Sequence, residues 1–436
     1  MNSADEVDHR GLGVVGAPAM SGGAGAEPGA GGGPVAAGFA EEVRQVAMGV
    51  RLALAEALNA CGVDVRRPQE LGRQLKLDKS LAWKLSRVVT DEDPLAAVTR
   101  LPGRSGARLM FTALERGGSP RALSERLQRA MESFEQAIET HAGDREAFEM
   151  MLAELSPAGQ ARHEVYREMA FKGASATFGV RARVHQACQL VRPTVGQPGM
   201  LDIGTISGLL GLVRLRTQTP WPIAQIRNFS GDGAVKPSKA LLPMDPEGVT
   251  AEGMMLVREF SSRSLPPLRA VSPHPGLIRF EVQGDAVGKT GAIDCISGWY
   301  ERSTVSMYRT ESDTLGEHLV HTVTPCEVLY FDLVVHTSMT FAFKPEAAAY
   351  GLLPGGLTYP QDGRDRGRIP LEVRVEYLEV DDLARATPEI PRYDHLVAMG
   401  IARLGGQPGE FTVRRVRVPY PPMPAQVVLR YELPSR

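Results

Sequence analysis

Between Pro68 and Arg87 the chain reads PQELGRQLKLDKSLAWKLSR. Six residues near its middle carry groups able to act on a partner: Lys76, Lys79, Ser80, Trp83, Lys84 and Arg87. Ammonium and guanidinium groups bind phosphate oxygens, and a serine hydroxyl hydrogen-bonds phosphates or base edges. An indole can lie against a sugar or a thymine methyl. Five of the six, Lys79 to Arg87, fall on one face if the stretch is helical.

The intervening positions suit elements that would hold that face outward. The stretch reads as two short helices joined by a tight turn. Leu71, Leu75 and Leu77 lock the first helix and the turn, and Ala82 and Leu85 form the inner face of the second helix. Gly72 falls where the two helices approach too closely for a side chain.

Local charge agrees. Arg66, Arg67, Arg73, Lys76, Lys79, Lys84, Arg87, Arg100, Arg104 and Arg108 are opposed only by Glu70, Asp78, Asp91, Glu92 and Asp93. The whole chain carries a formal charge of −2, so this is a basic module on a near-neutral protein, an electrostatic footprint for phosphate.

The stretch resembles the helix-turn-helix of lambda-repressor-like (Cro/C1-type) bacterial regulators, over about Val43 to Pro102. The resemblance implies a small helical bundle, with Val43 to Cys61 before the motif and Pro94 to Leu101 after it. It implies a second helix docked in the major groove of double-stranded DNA through Lys79, Ser80, Trp83, Lys84 and Arg87. Two departures stand out. Lys76 occupies the turn position where the family usually has Gly, and Ala82 is smaller than the usual branched inner residue. The same pattern also fits two ordinary amphipathic helices with a solvated lysine face, or a protein-docking pair.

At 436 residues the chain is too long for one ordinary core. The expected fold class is α+β: a helical N-terminal half, then a β-rich half built as an antiparallel sandwich or barrel. Residues 1–38 read as a disordered Gly/Ala/Pro-rich arm, and 39–110 as the helix-turn-helix module. Residues 111–192 read as a helical linker or dimerisation region, and 193–436 as a β-rich domain binding a ligand or partner. Helical periodicity supports the first part: Val43, Val46, Val50, Leu54 and Leu58, with Gly62 as a C-terminal cap. Leu123, Leu127, Met131, Phe134 and Ile138 form a second stripe, and Phe148, Leu152 and Leu155 a third. Asp93-Pro94, Ser119-Pro120 and Ser156-Pro157 read as helix starts, and Arg181 to Leu190 as the end of the helical half. Beyond Pro193 the period shortens to two, with strands at 277–282, 328–335, 371–377, 411–413 and 427–433.

Other constellations carry less. Gly284 to Thr290 lacks a glycine of the phosphate-loop pattern, Gln283 standing in its place, and reads as a polar loop between strands. His318 and His321 are three apart and would face opposite sides of a strand, so with Cys326 and His336 they suggest core or surface residues rather than a metal site. Asp294, Glu301, Glu317 and Asp332 show no pairing. Arg414, Arg415 and Arg417 read as a solvated edge strand. Cys61, Cys188, Cys295 and Cys326 read as free thiols in a reducing compartment. No apolar run reaches the roughly 18 residues of a membrane span, and MNSADEVDHR is not a secretory signal.

The expectation is therefore a cytoplasmic, homo-oligomeric DNA-binding transcriptional regulator with no cofactor or metal and no membrane association. Its C-terminal part would take a small molecule or a protein. The alternatives are an enzyme or ligand-binding β domain on a helical scaffold, and a docking module that does not bind DNA.

Overall fold

Helical period and strand period divide the chain at about Gly179. The computed structural model describes residues 34–153, 157–217, 220–227, 241–311, 313–352 and 367–436. Two units emerge, Met1–Phe148 and Glu149–Arg436. Residues 1–33, most of the expected arm, lie outside the described residues. Its last part is helical, because α1 (Pro34–Ala60) begins with a proline and good helix formers.

The first unit continues with α2 (Pro68–Leu75), α3 (Lys79–Thr90), α4 (Pro94–Val98), α5 (Arg104–Arg116) and α6 (Arg121–His141). Helix α7 (Arg145–Ala153) runs on past the unit boundary. Helix α1 buries Val43, Ala47, Val50, Leu54 and Leu58, and packs against α4 and α6. Helix α6 answers with Leu127, Met131, Phe134 and Ala137, a heptad-like stripe that removes apolar area from water. Gly62 takes a positive φ just beyond α1, as a C-terminal cap requires. Asp93 caps α4 by accepting from the Leu95 N–H at 2.9 Å. Ser119 does not cap α6: Pro120 occupies that position, with no side-chain cap. Ser156 and Leu155 lie outside the described residues.

The second unit opens with α8 (Pro157–Phe178) and then β1 (Val180–Pro193). The expectation of helix over 181–190 is thus overturned. Strand β1 buries Val184, Cys188 and Leu190 on one face and His185, Ala187 and Val191 on the other. A strand covered on both faces loses its alternation and reads like a buried helix.

The strands that follow are β2 (Met200–Arg214), β3 (Trp221–Arg227), β4 (Leu242–Pro243), β5 (Leu268–His274), β6 (Leu277–Val282) and β7 (Ile293–Ser306). Then come β8 (Leu315–Thr322), β9 (Cys326–His336), β10 (Glu346–Gly351) and β11 (Val375–Glu379). Two helices, α9 (Leu383–Ala386) and α10 (Tyr393–Leu404), precede β12 (Phe411–Pro419) and β13 (Ala425–Glu432). The expected strand over 371–377 shrinks to β11, since 371–374 form no ladder.

Seven strands make one sheet in the order β11-β12-β9-β1-β2-β7-β4. The sheet is mixed, not purely antiparallel: β1 and β9 run parallel, Ala182 opposite Cys326 and Val191 opposite Val335. One face carries α10, whose Tyr393, Leu396, Val397 and Ile401 pack with Cys188, Leu190, Ile206 and Val334. Gly400 allows this approach, since a Cβ there would lie 2.9 Å from Ile206 Cδ1. Elsewhere the sheet packs on two antiparallel three-stranded sheets, β10-β13-β8 and β3-β6-β5. Phe331, Leu333 and Val416 meet Val427 and Leu429 of the first. Leu209, Leu212 and Cys295 meet Ile223, Phe280 and Val282 of the second.

Two carboxylates hold β2 where its register shifts. Asp202 accepts from Thr194 Oγ1 at 2.7 Å, Ser303 N at 2.9 Å and Arg302 Nη1 at 2.7 Å. Asp294 Oδ1 accepts from the N–H of Gly211, a positive-φ residue, at 2.6 Å. Asp294 is thereby a structural group.

Candidate functional site

Groups able to engage a partner gather in each unit. In the helical unit, α2 and α3 are joined by Lys76, Leu77 and Asp78. Lys76 adopts the left-handed conformation, φ 51 and ψ 44, and the following N–H, of Leu77, reaches Gly72 O at 2.9 Å. Asp78 caps α3 by accepting from Leu81 N at 3.0 Å. Gly72 lies where close approach demands it: a Cβ there would lie 3.2 Å from Ala82 Cβ and 3.3 Å from Leu77 O. The small Ala82 is the other half of that contact.

Leu71, Leu75, Leu81, Ala82, Leu85 and Val88 are buried. Two hydrogen bonds pin α3 further: Ser86 Oγ donates to Val65 O at 2.6 Å, and Arg51 Nε donates to Val89 O at 3.0 Å. With the inner face fixed, Lys79, Ser80, Trp83, Lys84 and Arg87 are all exposed, as is Lys76 at the turn. Among the described residues no ion pair engages Lys76, Lys79, Lys84 or Arg87. Trp83 is 45% exposed. The guanidiniums of Arg87 and Arg100 each lie 5.8 Å from its ring centroid, and Arg100 is anchored by Asp91. The indole is thus flanked by cations and presents an aromatic surface inside positive charge.

In the β-rich unit, register brings them together. Gln189 lies opposite Thr205 and Thr205 opposite Trp299; Ala187 lies opposite Ser207 and Ser207 opposite Ser297. Directly opposed residues share a face, so β1, β2 and β7 form a polar floor. His185 lies on it two residues before Ala187, and Glu301 two beyond Trp299. A cavity of about 290 Å³ stands over this floor. Pro222 to Gln225 of β3, and Leu319, Val320 and His321 of β8, also line it. Burial lowers the His185 imidazole to about 4, so the ring is neutral near pH 7. Ser297 Oγ donates to Ser207 O at 3.2 Å, and Thr304 Oγ1 donates to Glu301 Oε2 at 3.1 Å. The period-two run of Thr205 and Ser207, matched by Ser297, Trp299 and Glu301, was the available sequence signal.

The remaining constellations resolve into framework. Arg414 and Arg415 are buried on β12, which lies between β11 and β9, so the solvated edge strand is overturned. Arg415 pairs with Asp332 through two bonds of 2.8 and 2.7 Å. It also donates to Thr387 Oγ1 at 2.6 Å and lies over the rings of Tyr330 and Tyr393. A buried charge needs such complete pairing. Arg417 reaches Glu389 at 3.2 Å. His318 and His321 are buried on β8, and His318 bridges Gln189 Oε1 at 2.6 Å and Tyr431 Oη at 3.1 Å. Glu317 lies 3.5 Å from Arg430. Gly284 to Thr290 forms a turn between β6 and β7, with no α-helix after it. Among the described residues no cluster of metal-ligating side chains occurs, and no helix is long and apolar enough to cross a membrane. All four cysteines are free.

Comparison with protein-family models, with curated proteins and with solved structures finds no match.

Proposed function

We propose that this chain is a DNA-binding transcriptional regulator. In this reading α2 and α3 act as a helix-turn-helix, with α3 in the major groove and a β-rich half that receives a ligand or partner. The observation that carries the reading is the outer face of α3. Lys79, Ser80, Trp83, Lys84 and Arg87 stand exposed on a helix whose inner face, cap and turn are fixed. Cations free of internal partners give up no ion pair on meeting phosphate. A homo-oligomer follows from the mechanism, because one small module buries little DNA surface and two half-sites multiply affinity.

The test is duplex-DNA binding by fluorescence anisotropy across a salt series, on sequences selected from a random pool. The expected outcome is a selected motif whose affinity falls steeply with salt. Lys84→Ala and Arg87→Ala should weaken binding on every sequence and each reduce the salt slope by about one. Ser80→Ala and Trp83→Ala should alter sequence preference more than affinity. A quadruple variant that binds as well as the parent would sink the assignment, and α3 would then be a protein-docking face.

The β-domain cavity favours a ligand-binding role for the second unit. It has convergent polar groups and an apolar rim, the ordinary composition of a small-molecule pocket.

A further inference from the structure

We propose that the cavity over β1, β2 and β7 binds one small, uncharged, polyhydroxylated molecule of about monosaccharide size. Its place as the effector site of a regulator rests on the function proposed above. The binding itself does not, and it is measured without DNA.

Size sets the first limit. A cavity of about 290 Å³ holds on the order of ten non-hydrogen atoms at the density of liquid water. That is the lower end of small-molecule pockets.

An unanswered polar group sets the second. His185 is 8% exposed and lines the cavity, and its Nδ1 is buried with no hydrogen-bond partner among the described residues. A buried ring nitrogen without a partner is costly, and native interiors rarely tolerate one. Being neutral, the ring offers one donor and one acceptor, and a hydroxyl can satisfy either.

The rest of the wall repeats that chemistry. Thr205 and Ser207, two apart on one strand, present hydroxyls to the same face. Glu301, already accepting from Thr304, keeps acceptor capacity for ligand hydroxyls. Trp299 supplies an apolar surface for the C–H face of a ring.

Charge sets the third limit. Among the described residues that line the cavity there is no Lys or Arg. An anion would lose its hydration and meet the Glu301 carboxylate with no Lys or Arg among the described lining residues to offset it. A cation would find that single carboxylate at one end of the floor, and elsewhere hydroxyls, the amides of Gln189 and Gln225 and the imidazoles of His185 and His321. Groups that both donate and accept, spread along the floor, match a molecule whose hydroxyls do the same.

The test is calorimetric titration of the intact chain with glucose, galactose and myo-inositol. Glucosamine and glucuronate serve as the charged counterparts of glucose. The expected result is saturable one-to-one binding of a neutral probe, with a change in tryptophan emission that Trp299→Phe removes. Ser207→Leu, which fills the cavity, should abolish binding. Thr205→Val, nearly isosteric, should weaken it at least tenfold while leaving the unfolding curve in place, so that loss of fold and loss of site are told apart. Three outcomes overturn the proposal. One is no saturable heat from any neutral probe up to about 10 mM, a weak limit for so small a ligand. Another is glucosamine or glucuronate bound more tightly than glucose. The third is binding untouched by both Ser207→Leu and Thr205→Val. Failure of DNA binding would leave these titrations unaffected, so the two readings fall separately.

Discussion

His185 and His318 are both buried, and burial lowers each to about 4, against about 6.5 in an unfolded chain. Between those values the unfolded chain takes up protons that the folded chain refuses. Stability is therefore full above about pH 6.5 and declines as pH falls toward 4. Each ring contributes about 3 kcal/mol across that window, at 1.36 kcal/mol per unit. Urea midpoints of the β-rich unit should drop steadily between pH 6.5 and 5, before most carboxylates titrate. His185→Phe should make that slope shallower. A midpoint constant over this range would show that the rings titrate freely. Asp202 acts lower on the scale. Although burial opposes its charge, the bonds from Thr194, Ser303 and Arg302 hold its carboxyl below the usual value. Its contribution persists to acid pH and is lost only below about pH 4.

At the scale of elements, the turn between α2 and α3 gives a sharper test. Lys76 holds a left-handed backbone that glycine adopts without cost. Lys76→Gly should stabilise the helical unit by about 1 kcal/mol while removing one cation from the turn beside the α3 face. Thermal unfolding should rise by several degrees and, on the function proposed above, DNA affinity should fall. A lower melting temperature would mean that the lysine stem contributes packing worth more than the strain. The turn was legible in the sequence because its determinants are local. Gly72, the leucines and Lys76 lie within a few residues of their partners, and the exposed set on α3 follows from helical period alone. The strand at 277–282 was legible for a similar reason, since Phe280 and Val282 are buried while Arg279 and Glu281 are not, and that at 427–433 by its β-branched and aromatic residues. What escaped was non-local. Strand β1 is covered on both faces by elements far along the chain, so its apolar run carries no period. Arg415 reads as solvent-facing until Asp332, 83 residues earlier, arrives beside it. The cavity floor draws on β1, β2 and β7, and no window of sequence contains all three.

At the scale of the whole molecule, the β-rich unit depends on partners distant in sequence. Strand β1 pairs with β9 along nine registered positions, from Ala182–Cys326 to Val191–Val335. Helix α10 and strand β12, which complete that core, come later still. A chain ending at residue 325 should keep the helical unit and lose the β-rich one. Circular dichroism would then show helix without the sheet signal, and limited proteolysis would degrade everything beyond about residue 180. A protease-resistant sheet in such a fragment would show that β1, β2 and β7 stand without β9.

The parallel pairing of β1 and β9 also sets a timetable on the ribosome. Synthesis at roughly 5–20 residues per second puts about 7–30 s between the emergence of one strand and its neighbour. For that interval both faces of β1 are wet, and its run of valine, alanine, cysteine and leucine is a target for chaperones and for other nascent chains. The helical unit has by then left the exit tunnel with its contacts local and complete, so newly made molecules acquire the α3 face before they acquire the cavity.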